Sequence, residues 1–315
     1  MYNWEKIGAS KFSEIHARAR AVGLVDEGTF TEFLGPRKRF SSPHLPHLGV
    51  AIEFDDGLVS GIGLIDKHPV FVNSMEGKFI GGSIGEVGGA KLVMSLKLAL
   101  EAYNKIPSKE LNQRRPIVVI SFDTGGVRLH EANAGLLAHA EVMDALQDLR
   151  HKIPVVAIIG SKVGCFGGMG FVAAATDVVV MSDVGRLGLT GPEVIEQEVG
   201  KEEFDASDKS LVYRTTGGKH KYIVRDCNYL VPDVTSSFRE VLREIADFTM
   251  ENIEKMRRIG SPELVASQIA FIDAVTSHDI HDSTDLWRSY GNQDTERLIN
   301  ADVDEFLTLA KRRPL

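Results

Sequence analysis

Ile117-Val118-Val119-Ile120-Ser121-Phe122-Asp123-Thr124-Gly125-Gly126-Val127-Arg128 is the stretch from which the fold can be read. Its first six residues, Ser121 apart, are an apolar run of the kind a strand shows when both of its faces are covered. A glycine pair follows at once. The same grammar returns at Val155–Ile159, followed by Gly164-Cys165-Phe166-Gly167-Gly168-Met169-Gly170. Between and around these runs the spacing predicts helices. Residues 90–103 form one; Leu136, Ala140, Met143 and Leu149 fall near one face of another; residues 171–175 form a short third. Residues 178–181 read as a further strand. Strand, helix, strand, helix, strand implies an α/β core with parallel strands.

Working outward, residues 50–54, 58–65 and 70–72 are β-rich. Asp55-Asp56-Gly57 and Asp66-Lys67-His68-Pro69 separate them, which predicts antiparallel hairpins. Residues 10–23 read as a short helix ending at a glycine. Residues 35–49 contain three prolines and the basic trio Arg37, Lys38 and Arg39, and read as a loop. After Pro232, Val241, Ile245, Phe248 and Ile253 mark an amphipathic helical face. The tail from Gly260 is mixed and polar, with helices and no catalytic groups expected.

The 315 residues carry a formal net charge of −8, with 43% hydrophobic and 25% charged residues. That composition excludes wholesale disorder and argues against a nucleic-acid partner, which calls for a basic face. No apolar run approaches the roughly 20 residues of a membrane span, and residues 1–10 have no apolar core of a signal peptide. A cytoplasmic protein without a membrane partner is the expectation. Two cysteines, Cys165 and Cys227, are too few for a disulfide framework or a four-cysteine zinc site. His44 and His47 lack further ligands at metal-site spacing, so no metal is expected.

The chemistry is expected at the two glycine pairs. A strand-to-helix junction leaves unpaired N–H groups, and glycine lets a ligand approach them. Donors from adjacent turns could converge on one oxygen as an oxyanion hole, worth ~3–4 kcal/mol per donor. The same pairs also read as tight strand-to-helix turns, and spacing alone does not choose. Ser161 and Cys165 lack a surrounding Gly-x-Ser-x-Gly, and Cys165 reads as a small buried residue. His130 and Glu131 read either as an acid–base pair or as the solvated start of the next helix. The glycines from Gly81 to Gly89 do not open a βαβ unit, which disfavours a nucleotide fold.

Five motifs in order resemble the biotin-linked carboxyltransferases. They are Ala17-Arg18-Ala19-Arg20 with the segment from Leu24 to Glu32, Gly81-Gly82-Ser83-Ile84-Gly85-Glu86-Val87, the segment from Asp123 to Glu131, Phe166-Gly167-Gly168, and Gly191-Pro192-Glu193-Val194-Ile195-Glu196-Gln197. The resemblance implies an α/β crotonase-like fold, a spiral of ββα units, as a single carboxyltransferase-type domain over residues 1–258 with a helical extension over 259–315. It implies chemistry through a thioester enolate. Gly125, Gly126, Gly167 and Gly168 inherit the thioester-binding and oxyanion roles, and Arg128, His130, Gly82 and Gly85 the substrate-binding roles.

Within the family, the acetyl-CoA carboxylase β subunits carry a four-cysteine zinc ribbon that this chain cannot build. The likeness is closer to β subunits of biotin-independent malonate decarboxylases. That likeness implies a carboxy-lyase converting a malonyl thioester to the acetyl thioester. It implies a homologous γ subunit, an acyltransferase subunit and an acyl carrier protein bearing a CoA-like prosthetic group, with no cofactor covalently bound to this chain. The alternative is a carboxyltransferase β subunit of a biotin-dependent acyl-CoA carboxylase. Because a complete site in this family lies between two crotonase-like domains and 315 residues have room for one, the second half is expected from a partner. The proton that ends on carbon is expected from His130, Tyr213 or water. A scaffold subunit without activity is disfavoured by the intact glycine pairs. A hydratase or hydrolase would have to use Glu86 and Glu131.

Overall fold

A computed structural model describes residues 11–48, 56–256, 262–277 and 280–314. The expected strand at residues 50–54 lies outside them. Seven strands form one sheet in the order of the chain: β1 (Thr31–Phe33), β2 (Leu58–Ile65), β3 (His68–Met75), β4 (Ile117–Phe122), β5 (Val155–Ile159), β6 (Val178–Ser182) and β7 (Tyr229–Val231). The first three are antiparallel, and from β3 to β7 every pairing is parallel. Each crossover therefore leads to the next neighbour, so the chain winds onward in one direction as a spiral. Beyond the sheet a second set of short parallel bridges joins Ile84 to Val127, Thr124 to Cys165 and Cys165 to Leu187.

The sheet is covered on both faces, which is why β4, β5 and β6 are buried along their whole length. Val118, Ile120 and Phe122 face a core with Leu92, Leu96, Val142 and Leu146 from the helices Glu86–Lys105 and Asn133–Leu149. Val119, Val156 and Ile158 face a second core with Phe12, Leu24, Phe238 and Leu242. The predicted faces are corrected in detail. Leu136 is 52% exposed, whereas Val142, Ala145 and Leu146 make the buried face of its helix. Helices occupy the last segment as expected (Pro262–Ser277, Ser283–Ser289, Thr295–Asn300 and Val303–Leu309). Its polar composition hides Trp287 and Phe306, which are buried in the first core. Among the described residues no helix is long and apolar enough to cross a membrane.

Candidate active site

The two glycine turns meet where β4 and β5 end. Asp123, the residue after β4, is the anchor: its carboxylate accepts from Arg20 Nη2 at 2.7 Å, Gly77 N at 3.0 Å and Val163 N at 3.0 Å. The turns are then stitched to each other, Thr124 N to Gly164 O at 2.8 Å and Phe166 N to Thr124 O at 3.1 Å. Backbone packs on backbone here. Gly126 has φ +113°, and a Cβ on it would lie 3.0 Å from Gly167 Cα. Glycine is required at that position by conformation and by space.

The amides of the four glycines expected as oxyanion donors differ in where they point. Gly125 N donates to Gly81 O (3.1 Å) and Gly167 N to Leu189 O (2.8 Å). Gly126 N donates to Thr124 Oγ1 (2.9 Å). Turns this tight satisfy their own donors, because a buried N–H left unpaired is costly. Gly168, the first residue of the helix Gly168–Ala174, keeps an amide without a partner among the described residues, and so does Val127. These two residues are neighbours: a Cβ on Gly168 would lie 2.9 Å from Val127 Cγ2. The pair of available donors is therefore Val127 with Gly168. Val127 carries no glycine signature in the sequence, since only its amide matters.

Arg128 does not face an open pocket. It is 1% exposed, and its guanidinium is turned into the protein. Nη2 donates to Ser83 O (2.6 Å) and Asp56 O (3.0 Å), Nη1 to Glu131 Oε1 (3.1 Å) and Nε to Ser83 Oγ (3.3 Å). Glu131, 2% exposed, also accepts from Glu86 N at 2.6 Å, at the start of the helix Glu86–Lys105. Arg128 and Glu131 are thus a buried staple, and Glu131 is not an acid or base over a pocket. Gly82 and Gly85 are likewise packing positions. A Cβ on Gly82 would lie 2.0 Å from Asp123 O, and one on Gly85 2.2 Å from Glu131 Oε2. His130 is exposed, on the one-turn segment Leu129–Glu131. Tyr213 lines a cavity of 310 Å³ with Asp183, Lys209 and Lys219. Burial raises the carboxyl pKa of Asp183 there, with Lys219 opposing. Cys165 is fully buried, with burial pushing its thiol up well above the ordinary range, in keeping with an inert residue.

One titratable group at the turns escaped the sequence reading. His139 is 7% exposed on the helix Asn133–Leu149. Its Nδ1 lies 2.9 Å from Gly135 O, and its Nε2 is buried without a partner. A Cβ on Gly168 would stand 2.8 Å from its Cδ2. Burial lowers its pKa against the opposing Gly135 bond, so the ring is neutral near pH 7. The available signal was a histidine on an otherwise apolar helix face. Around the turns, Leu129, Leu137, Phe171 and Leu189 are each more than half exposed.

A family model described as the carboxyl transferase domain matches residues 13–228. The chain belongs to the carboxyl transferase family. The crotonase-like spiral and the likeness to malonate decarboxylase subunits, both implied by the motifs, are borne out. This family member is 60% identical over 315 residues to the malonyl-S-ACP:biotin-protein carboxyltransferase of Malonomonas rubra, covering 99% of each chain. It is 31% identical over 212 residues to the propionyl-CoA carboxylase β chain of Saccharopolyspora erythraea, covering 67% of this chain and 36% of that one. Among solved structures, a Pseudomonas malonate decarboxylase hetero-tetramer in complex with malonate matches with TM-score 0.75 and 34% identity, over 89% of this chain and 97% of that chain. A Pseudomonas malonate decarboxylase hetero-dimer matches with TM-score 0.59 and 37% identity, over 75% and 87%.

Proposed function

We propose that this chain removes the carboxyl group from a malonyl thioester carried on an acyl carrier protein and holds the acetyl-thioester enolate that results. The observation that carries this reading is the end-to-end 60% identity to a malonyl-S-ACP:biotin-protein carboxyltransferase. Breaking the C–C bond leaves its electron pair on the thioester enolate, whose charge falls on oxygen. The free amides of Val127 and Gly168 bind that oxygen more tightly as charge grows, which lowers the barrier and not merely the ground state. No base is needed to start, because the departing carboxyl leaves its electrons behind. This agrees with a site whose buried carboxylate, Glu131, is already engaged with Arg128.

The carboxyl group passes to the ureido nitrogen of a protein-borne biotin, and the proton lost from that nitrogen ends on the enolate carbon. The name of the 60% relative supports this acceptor. Direct release of CO2, with the proton drawn from water, is the second reading. It is the one the motifs imply, and the likeness to the Pseudomonas malonate decarboxylase structures supports it. Turnover of malonyl-carrier protein by the native complex, with and without avidin, tests both. Loss of turnover with avidin assigns the carboxyl group to biotin, and avidin-resistant CO2 release assigns direct decarboxylation. A native complex that leaves the malonyl thioester intact overturns the function itself.

The second half of the site comes from a homologous γ-type subunit. The exposed side chains of Leu129, Phe171 and Leu189 near the glycine turns support this, since exposed apolar surface marks an interaction site. So does the 36% of the propionyl-CoA carboxylase β chain that this chain spans.

A further inference from the structure

One cluster of charge takes no part in the site described so far. Arg37, Lys38 and Arg39 are three consecutive cations in a chain of net charge −8. They sit on the 3-10 turn Pro36–Lys38, with Arg39 closing it at φ +55°. The side chains of Arg37 and Lys38 are exposed and have no hydrogen-bond or ion-pair partner among the described residues. By contrast, nearby Arg18 is paired with Glu32 at 2.8 Å. Among the described residues nothing compensates these two cations.

A cavity of 660 Å³ opens beside them, between the same loop and the helices Glu86–Lys105 and Asn133–Leu149. Leu34, Phe40, Val87, Met94 and Leu137 contribute its apolar walls. Phe40 is 51% exposed and Leu137 59% exposed. Two carboxylates also line it, Glu86, which accepts from Ser42 Oγ at 2.5 Å, and Glu141, together with Lys91, whose ammonium is already neutralised by Asp56 at 2.9 Å. Carboxylates disfavour a phosphate inside the cavity, so the cations serve an anionic group that stays outside it. The loop is continuous with the active-site framework. Ser42 ties it to the start of the helix Glu86–Lys105, and the segment Leu45–Leu48 packs on Leu129–Glu131, directly after the first glycine turn.

We propose that residues 34–43 are the landing surface for an acidic face of the carrier protein, with Arg37 and Lys38 meeting its carboxylates and Phe40 and Leu137 its apolar centre. The proposal rests on the thioester being delivered by a carrier, as in the functional reading above. Rim cations of this kind set encounter rate and salt sensitivity more than residence, which suits a partner that must leave after each turnover.

The test is the double variant Arg37→Glu/Lys38→Glu in the complete complex, compared with the wild-type complex on two substrates. One is the malonyl thioester on the carrier protein; the other is the same thioester on a free phosphopantetheine arm. The variant raises KM for the carrier-borne substrate by about tenfold, leaves kcat unchanged, and leaves KM for the free arm unchanged. Added salt raises the wild-type KM for the carrier and barely moves that of the variant. An unchanged KM for the carrier overturns the proposal. So does an equal rise for both substrates, which assigns the cations to the arm's own phosphate. Titration of the unmodified carrier protein onto each complex at two salt concentrations reads the surface independently of catalysis. Equal affinity for wild type and variant in that titration overturns the docking surface, whereas absent turnover by the wild type overturns only the functional reading.

Discussion

Single residues divide the glycine turns into framework and chemistry. Gly126 and Gly167 are framework, because their Cα atoms let the two turns touch and their amides are engaged within the turns. Gly168 is the position to which the proposed function assigns the chemistry. In Gly168→Ala the new methyl meets the His139 ring edge at 2.8 Å and Val127 Cγ2 at 2.9 Å, so the turn must shift. Turnover of the malonyl thioester is expected to fall about 100-fold, the effect of a misplaced oxyanion donor. Near-wild-type turnover in a folded variant would remove the assignment. Arg128 makes the opposite forecast. Arg128→Met leaves Glu131 buried without its counter-ion, held only by the Glu86 N–H, so stability falls by about 3–5 kcal/mol in urea denaturation. KM of the remaining folded enzyme is unchanged, whereas a substrate-binding arginine would raise KM and spare stability.

Among the elements, β4 and β5 were legible in the sequence to the residue, because strands covered on both faces need apolar side chains throughout. The last helices were legible as helices but not as core. Trp287 shows why: its Nε1 donates to His220 Nδ1 at 3.1 Å, a contact joining the helix Ser283–Ser289 to the helix Gly218–Ile223. Burial lowers the His220 pKa from its ordinary 6.5 to about 4. The unfolded chain therefore takes up a proton below pH 6.5 while the folded chain stays neutral until about pH 4. Stability from this group is complete above pH 6.5 and declines toward pH 4, by up to about 3 kcal/mol. Denaturation midpoints measured from pH 7 to pH 4 should flatten in His220→Gln, whose side-chain oxygen still accepts from Trp287. An identical slope in both proteins would contradict this.

For the whole molecule, the spiral leaves the Val127 and Gly168 amides without partners among the described residues, with Leu129, Phe171 and Leu189 exposed beside the same turns. The purified chain alone is expected to turn over malonyl thioester at background level, and addition of its homologous partner to restore activity. Full activity of the isolated chain would refute a divided site. The apolar runs and turn residues sufficed to determine an α/β core with parallel strands, since periodicity and turn chemistry act over neighbouring residues, and the crotonase-like spiral followed from the resemblance of the ordered motifs to the family. The sequence could not say which amides remain free, which way Arg128 points, or that His139 lies against Gly168. Those depend on Gly81, Leu189, Ser83 and Asp56, residues distant along the chain that only the folded spiral brings within hydrogen-bonding distance. A donor's availability is settled by whichever acceptor packs beside it, and packing is a property of the tertiary structure.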